Sequence, residues 1–245
     1  MTVSTPLLDA INLPADLRPA VAAEPGHVFV RADLGQIEPR VLAAVSGDGA
    51  LAGATQDDDL YLPVARQLGV DRATAKVAVL GTMYGQTTGL GAQLLPRLRA
   101  SYPVAMAMLE EADRAGQAGR DLRTHGGRLI RFGSVGDDGT DERAARGRAA
   151  ARGRFGRNAM IQGAAAELFK VWAVTVRARA AEAGARIVLC LHDELLVHAP
   201  ADAGAEVADL LERCLQESAR RWAPGTPVRF VADISVIARW SDAKA

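Results

Sequence analysis

The stretch R-I-V-L-C-L-H-D-E-L-L-V-H-A-P, Arg186 to Pro200, decides the fold. Ile187 to Leu191 form an apolar run of strand length, and Leu195 to Val197 form a second, with His192, Asp193 and Glu194 between them. Continuous apolar runs fit strands buried on both faces, and a short polar break between two of them fits a hairpin with a tight tip. Two buried strands would then lift an acid-rich tip out of the core. A carboxylate taken out of water without a partner is costly or shifts its pKa. The tip is therefore either a solvated turn or a seat for a cation, and the hairpin alone leaves both readings open.

Working outward, a second acid stands at the end of a second strand. Gly26 opens H-V-F-V-R-A-D, whose Val28, Phe29 and Val30 have strand character, and the strand ends at Asp33. The following segment Q-I-E-P-R-V-L-A-A-V-S-G-D repeats Ile37, Val41, Ala44 and Val45 at helical spacing. Pro39 is tolerable in a first turn, and Gly47 ends the helix. Asp33 reads either as a helix N-cap or as a strand-end acid with chemistry.

Residues 57 to 69 read as an acidic run leading into a helix that stops at Gly69. Asp71 caps the next helix, R-A-T-A-K-V-A-V-L-G-T-M-Y-G, to about Tyr84. Arg72, Lys76, Leu80 and Tyr84 are spaced by four and line one face. Two cations followed by an apolar and an aromatic group suit a nucleotide, phosphates at the cations and base at the apolar end. They also suit two solvated cations and a core tyrosine. Positive charge at a helix N-terminus is unfavourable, and an anionic partner would relieve it.

The remaining chain frames these stretches. Residues 1 to about 26 carry Pro6, Pro14, Pro19 and Pro25 and read as an extended lead-in. A Gly-rich loop precedes a helix over about 94–115, and L-I-R-F (129–132) is a short strand. Residues 133–153 are mostly Gly, Asp, Arg and Ala, and from Arg143 to Arg157 there are six arginines, the one local basic patch. Such a run is a solvated face or a phosphate contact. A long helix is expected from about Phe155 to Ala183, with Arg154, Asn158 and Gln162 as a polar row at its start. An amphipathic helix over 202–221 and a last strand over 228–238 finish the chain. The order predicts an α+β fold: an antiparallel sheet with helices on one face and a helical insertion between Asp57 and about Gly119.

Composition adds bounds. The 245 residues suffice for one large or two small domains, with 49% hydrophobic and 24% charged residues. Net charge is zero, so only a local patch would mark nucleic-acid binding. Two cysteines, Cys190 and Cys214, make no disulfide framework and point to a reducing cytoplasm. The N-terminus lacks the basic start and apolar core of a signal peptide, and no apolar run reaches the ~20 residues of a membrane span. A monomer without a membrane partner is expected.

These stretches, in this order, resemble the polymerase domain of bacterial family A DNA polymerases. A-D-L-G-Q-I-E-P-R (32–40) is similar to that family's motif A, R-A-T-A-K-V-A-V-L-G-T-M-Y-G (72–85) to motif B and L-H-D-E-L (191–195) to motif C. R-N-A-M-I-Q-G-A-A-A-E (157–167) is similar to its primer–template helix. The resemblance covers roughly residues 7–240. It implies an antiparallel palm sheet with a helical fingers insertion, divided as palm (1–56), fingers (57–119) and palm (120–245). It implies template-directed DNA synthesis from deoxynucleoside triphosphates on primer–template DNA, with two Mg²⁺ as cofactors held by Asp33 and Asp193. Glu194 would be a supporting acid and His192 a primer-side contact. Arg72, Lys76, Leu80, Tyr84, Gln36 and Tyr61 would serve the incoming nucleotide, Lys76 also as a proton donor to pyrophosphate. Glu38 would crowd the sugar's 2′ position. Arg154, Asn158, Gln162 and Arg40 would contact DNA.

Four positions depart from the family pattern. Gly35 stands where Ser is usual, Pro39 where a small apolar residue is usual, Leu80 where an aromatic is usual and Tyr61 where His is usual. Nothing resembles the family's thumb or its proofreading exonuclease domain, so palm and fingers alone are expected. Two other classes compete with synthesis: a non-catalytic nucleic-acid-binding remnant, and an unrelated Mg²⁺ hydrolase using the same acids.

Overall fold

In a computed structural model, which describes residues 15–86, 88–132 and 142–243, the organising element is strand β1, His27–Leu34. Its register partners explain its burial. On one side it pairs antiparallel with β5 (Glu194–Pro200), on the other with β6 (Ala232–Ile237), and β4 (Arg186–Leu191) completes the order β4-β5-β1-β6. The expected hairpin is β4–β5, with a tip one residue shorter than the sequence suggests, because Glu194 already pairs with Leu191. His192 takes a φ of 53°, the positive value that primed hairpin turns require at their first position. The tip is tied back by the Leu34 N–H, which donates to the Asp193 carbonyl at 3.0 Å.

The chain divides into two units. The first comprises residues 1–35, 168–224 and 230–245, and the second comprises 36–167 and 225–229. This differs from the expected division at 56/57 and 119/120.

The first unit holds the four-stranded sheet and the helix Gly204–Trp222, which packs on β1, β5 and β6. Val207, Leu211, Cys214 and Leu215 are its buried stripe. Trp172 is fully buried, and its indole N–H donates to the Leu211 carbonyl at 3.0 Å.

The second unit is mainly helical: α1 (Ile37–Ser46), α2 (Gly49–Ala54), α3 (Tyr61–Leu68), α4 (Arg72–Met83), α5 (Gly89–Ser101), α6 (Pro103–Gln117) and the first part of α7 (Glu142–Ala180), with one short antiparallel pair, β2 (Leu122–Arg123) and β3 (Leu129–Ile130). Asp48 joins two of these termini. It is 2% exposed; Oδ1 accepts from the Leu51 N–H, and Oδ2 accepts from the Val104 and Ala105 N–H groups. One carboxylate thus caps α2 and α6 together.

Several boundaries correct the sequence reading. The single helix expected over about 94–115 is two, because Pro103 starts a new helix at its N1 position. The last strand begins at Ala232, not Val228, because the loop around Thr55 and Gln56 draws Arg229 away: the Arg229 N–H donates to Thr55 Oγ1 and its guanidinium to the Gln56 carbonyl. Of the stretch 133–153, residues 142–153 are helical, so α7 starts at Glu142 and the row Arg154, Asn158, Gln162 lies inside it, not at its start. Ala and Arg are strong helix formers, and Gly153 on α7 and Gly116 on α6 serve packing. A Cβ on Gly153 would meet Asp113 Oδ1 at 2.7 Å, and one on Gly116 would meet the Arg152 carbonyl oxygen at 2.5 Å. They are the close crossing of α6 and α7. Residues 133–141 and the lead-in before Ala15 lie outside the described residues. Helix 142–183 is long and apolar enough to cross a membrane by length and composition alone, but half of its most apolar 18-residue window is buried inside the protein.

Candidate active site

Each unit presents one charged row. In the first unit, register places three acids side by side across the sheet. Asp33 on β1 faces Glu194 on β5 and Asp233 on β6, with Asp193 at the hairpin tip beside them. Like charges directly opposite on neighbouring strands repel. The compensation comes from Arg31, two residues earlier and on the same face of β1. Its Nε donates to Glu194 at 2.6 Å, and its two terminal nitrogens donate to Asp33 at 2.8 Å and Asp233 at 3.3 Å. Burial disfavours the Arg31 charge, but the hydrogen bond it donates to Glu194 and the three carboxylates outweigh that, and its pKa is raised.

One cation does not balance four acids. Burial first, then the Asp193 charge, push Asp33 from 3.8 up to about 6, despite Arg31. Burial also raises Asp193. Glu194 is more firmly spoken for, since its Oε1 accepts from the Trp240 indole N–H at 2.7 Å while Oε2 accepts from Arg31. Asp33 and Asp193 are thus the acids whose charge the fold leaves least compensated. His192 is exposed at the tip. Gly35, where the family usually has Ser, is matched by Val231: a Cβ there would meet Val231 Cγ2 at 2.9 Å.

In the second unit, α4 presents the expected row. Asp71 caps it, Oδ1 accepting from the Thr74 N–H at 2.8 Å. Arg72, Lys76 and Tyr84 are exposed and Leu80 half-buried, while Ala75, Ala78 and Val79 face inward. Arg72 is ion-paired to Asp59 and lies 5.7 Å from the ring centroid of Tyr61. Lys76 makes no hydrogen bond or ion pair among the described residues. The Tyr84 hydroxyl donates to Glu38 Oε2 at 2.7 Å, and burial, then that bond, hold its pKa up near 12. On α7, Arg154 and Gln162 are exposed and Asn158 half-buried. Gly85, just past Tyr84, lies against the Arg154 and Arg157 stems, beside a cavity of about 330 Å³.

Two expected contacts need correction. Arg40, expected on DNA, is 0% exposed; its guanidinium donates to the Thr55, Asp57, Asp58 and Arg229 carbonyls and to Gln36 Oε1. Burial, then the Arg229 charge, lower its pKa to about 10. It is a fold-holding residue with no surface for a ligand. Tyr61, expected on the triphosphate, is 3% exposed and can act only by backing Arg72. Gln36 takes a φ of 51°, and its amide oxygen accepts from Arg40 and from the Leu60 N–H. The sequence reading missed Arg31, Asp233 and Trp240. The i, i+2 relation of Arg31 to Asp33 on one strand face was a usable signal for the first. Nothing local marks Trp240.

Comparison with known proteins gives the family of the chain. The model of DNA polymerase family A matches residues 3–242, and the chain belongs to that family. It is 36% identical over 219 residues to DNA polymerase I of Chloroflexus aurantiacus, covering 80% of this chain and 22% of that protein. It is 34% identical to a thermostable DNA polymerase I of Thermus thermophilus, covering 82% of this chain and 26% of that one. The POL domain of Pol1 from M. smegmatis, solved in complex with DNA primer-template and dNTP, superposes with a TM-score of 0.75 at 24% identity. That match covers 94% of this chain and 44% of the other, a likeness of fold. The chain spans about a quarter of the length of these curated relatives.

Proposed function

We propose that the chain carries out template-directed DNA synthesis, adding deoxynucleotides to a primer 3′ end. The observation that carries this reading is the acid row: four carboxylates at the ends of adjacent strands, with Asp33 pushed up to about 6 by burial and then by the Asp193 charge. Oxygen-only donors that gather excess negative charge suit Mg²⁺, and Asp33 and Asp193 are the residues that would hold it. When bound, a pair of such ions activates the attacking hydroxyl and stabilises the charge on the leaving oxygens. The chain's own residues do the rest. Arg31, and Trp240 through Glu194, fix the carboxylates so that little reorganisation is needed at the moment of reaction. Lys76, exposed and unpaired among the described residues, receives the triphosphate, and Arg72 does so on leaving Asp59. Leu80 supports the nucleotide, and Tyr84 packs near the templating base. Glu38, held by Tyr84, crowds a 2′-hydroxyl. Arg154, Asn158, Gln162 and His192 contact the duplex.

One observation favours the second reading, a nucleic-acid-binding remnant without catalysis: Arg31 already places a fixed cation among the acids. Primer extension separates the two. Purified chain with primer–template, deoxynucleoside triphosphates and Mg²⁺ should lengthen the primer in a template-dictated order, and chelation should stop it. Duplex binding without extension would leave the remnant, and cutting without a template would indicate a hydrolase.

A further inference from the structure

The opposite end of β1 gathers a different chemistry. His27 begins the strand, six residues from Asp33, or about 20 Å of extended chain. Register puts Phe29 opposite His198 on β5, and the His27 and His198 rings stack with centroids 4.5 Å apart. Glu24 completes the group, and one ligand atom from each of the three lies within 4.8 Å of the others. All three belong to the first unit.

Three features point to a ligand. His198 is 7% exposed, and its Nε2 is buried without a hydrogen-bond partner. A buried polar atom left unpaired is costly and calls for a partner. The His27 Nδ1 lies 3.3 Å from the Pro25 carbonyl oxygen, and a proton held there leaves the lone pair on Nε2. Burial, then the neighbouring His27, depress the His198 pKa, so this ring is neutral at neutral pH and able to ligate. The charges facing the group are Glu24 on one side and Arg186, opposite His198 on β4, on the other.

We propose that Glu24, His27 and His198 form a binding site for a late first-row divalent cation of the Zn²⁺ type. Two imidazoles and one carboxylate suit such ions, whereas Mg²⁺ requires oxygen donors. Ligand atoms around a tetrahedral Zn²⁺ stand about 3.4 Å apart, so the group must contract by little more than about 1 Å. Glu24, exposed ahead of the Pro25–Gly26 turn, supplies most of that movement, and the two rings fan out of their stack. The site separates two metal chemistries on one strand: nitrogen-rich at its start, oxygen-only at its end.

The test is calorimetric titration of the untagged full chain with Zn²⁺ in excess Mg²⁺, repeated with Co²⁺ to read ligand geometry from its visible spectrum. Wild type should bind one Zn²⁺ at micromolar concentration. Glu24→Ala and His27→Ala should each weaken binding at least about tenfold, the lower end of what even an outer-sphere partner contributes. Both side chains lie outside the core, and far-UV circular dichroism checks that the variants fold. The double variant Asp33→Asn, Asp193→Asn should bind Zn²⁺ as wild type does. The proposal is overturned if wild type takes up no Zn²⁺, if Glu24→Ala and His27→Ala leave binding unchanged, or if the double aspartate variant loses it. None of these results bears on primer extension.

Discussion

The acid row on the sheet and the cation row on α4 are both lines of like charge, but the fold treats them differently. The acids stand on three paired strands, cannot move apart, and are partly neutralised by one buried arginine. The cations of α4 stand a helical turn apart, face water, and lean on a flexible ion pair with Asp59 or on nothing among the described residues. Charge on a rigid, half-buried surface stores repulsion that a bound cation releases. Charge on an exposed helix face costs little and waits for a ligand. Function that needs fixed geometry belongs on the first kind of surface, and function that needs capture and release belongs on the second.

The comparison breaks most visibly if the acids can be removed without consequence. Asp33→Asn and Asp193→Asn should each lower extension by at least about a thousandfold, since transition-state charge stabilisation is usually the largest catalytic term. Single-turnover extension near the wild-type rate in either variant would remove these residues from catalysis. Next in size, Arg31→Ala leaves the acids without their shared cation and should cost about 2–3 kcal/mol of stability in chelator. Urea unfolding checks this, and added Mg²⁺ should restore part of the loss in the variant while moving wild type less. If the variant is as stable as wild type, the row is not repulsive and the contrast with α4 fails.

Lys76→Ala should weaken triphosphate binding about tenfold, roughly 1.4 kcal/mol, with duplex affinity unchanged. A loss confined to duplex affinity would make α4 a DNA-binding element. The smallest effect is the most diagnostic. Because the Asp33 pKa is raised in the folded state from 3.8 to about 6, the native protein binds that proton more tightly than the unfolded chain does. Its charge therefore costs stability above pH 6, and the cost fades as pH falls from 6 towards 4. In chelator, Asp33→Asn should be more stable than wild type by about 1 kcal/mol at pH 8, after discounting for a side chain one-third exposed, and equal to it near pH 4. A variant less stable at pH 8 would mean that Arg31 more than offsets the repulsion.

How much of this was legible in the sequence depends on whether the signal was local. The hairpin, the strand ending at Asp33 and the capped helix from Arg72 all announce themselves through period and punctuation, and each formed within a residue or two. Arg40 was misread because its position in a chemically suggestive motif says nothing of burial, and five hydrogen bonds to carbonyls and Gln36 are a tertiary fact. Asp233 was invisible because its meaning comes from register with Asp33, 200 residues away. The long helix was expected to start only at about Phe155, because a glycine chosen for a close crossing, as Gly153 is, looks the same in sequence as one chosen for a turn.

That crossing has a consequence for what variation the chain can tolerate. At Gly116 the obstacle to a side chain is the backbone of Arg152, not another side chain that could turn aside. No residue smaller than glycine exists, so every substitution there is an enlargement, and a second-site change in side-chain size cannot undo it. Gly35 is different in kind: its neighbour is the Val231 side chain, so a larger residue at 35 can be accommodated by a smaller one at 231. Among descendants of this sequence, position 35 should drift together with 231, while 116 should stay fixed. The steepest barrier to change then lies in a backbone-to-backbone helix crossing.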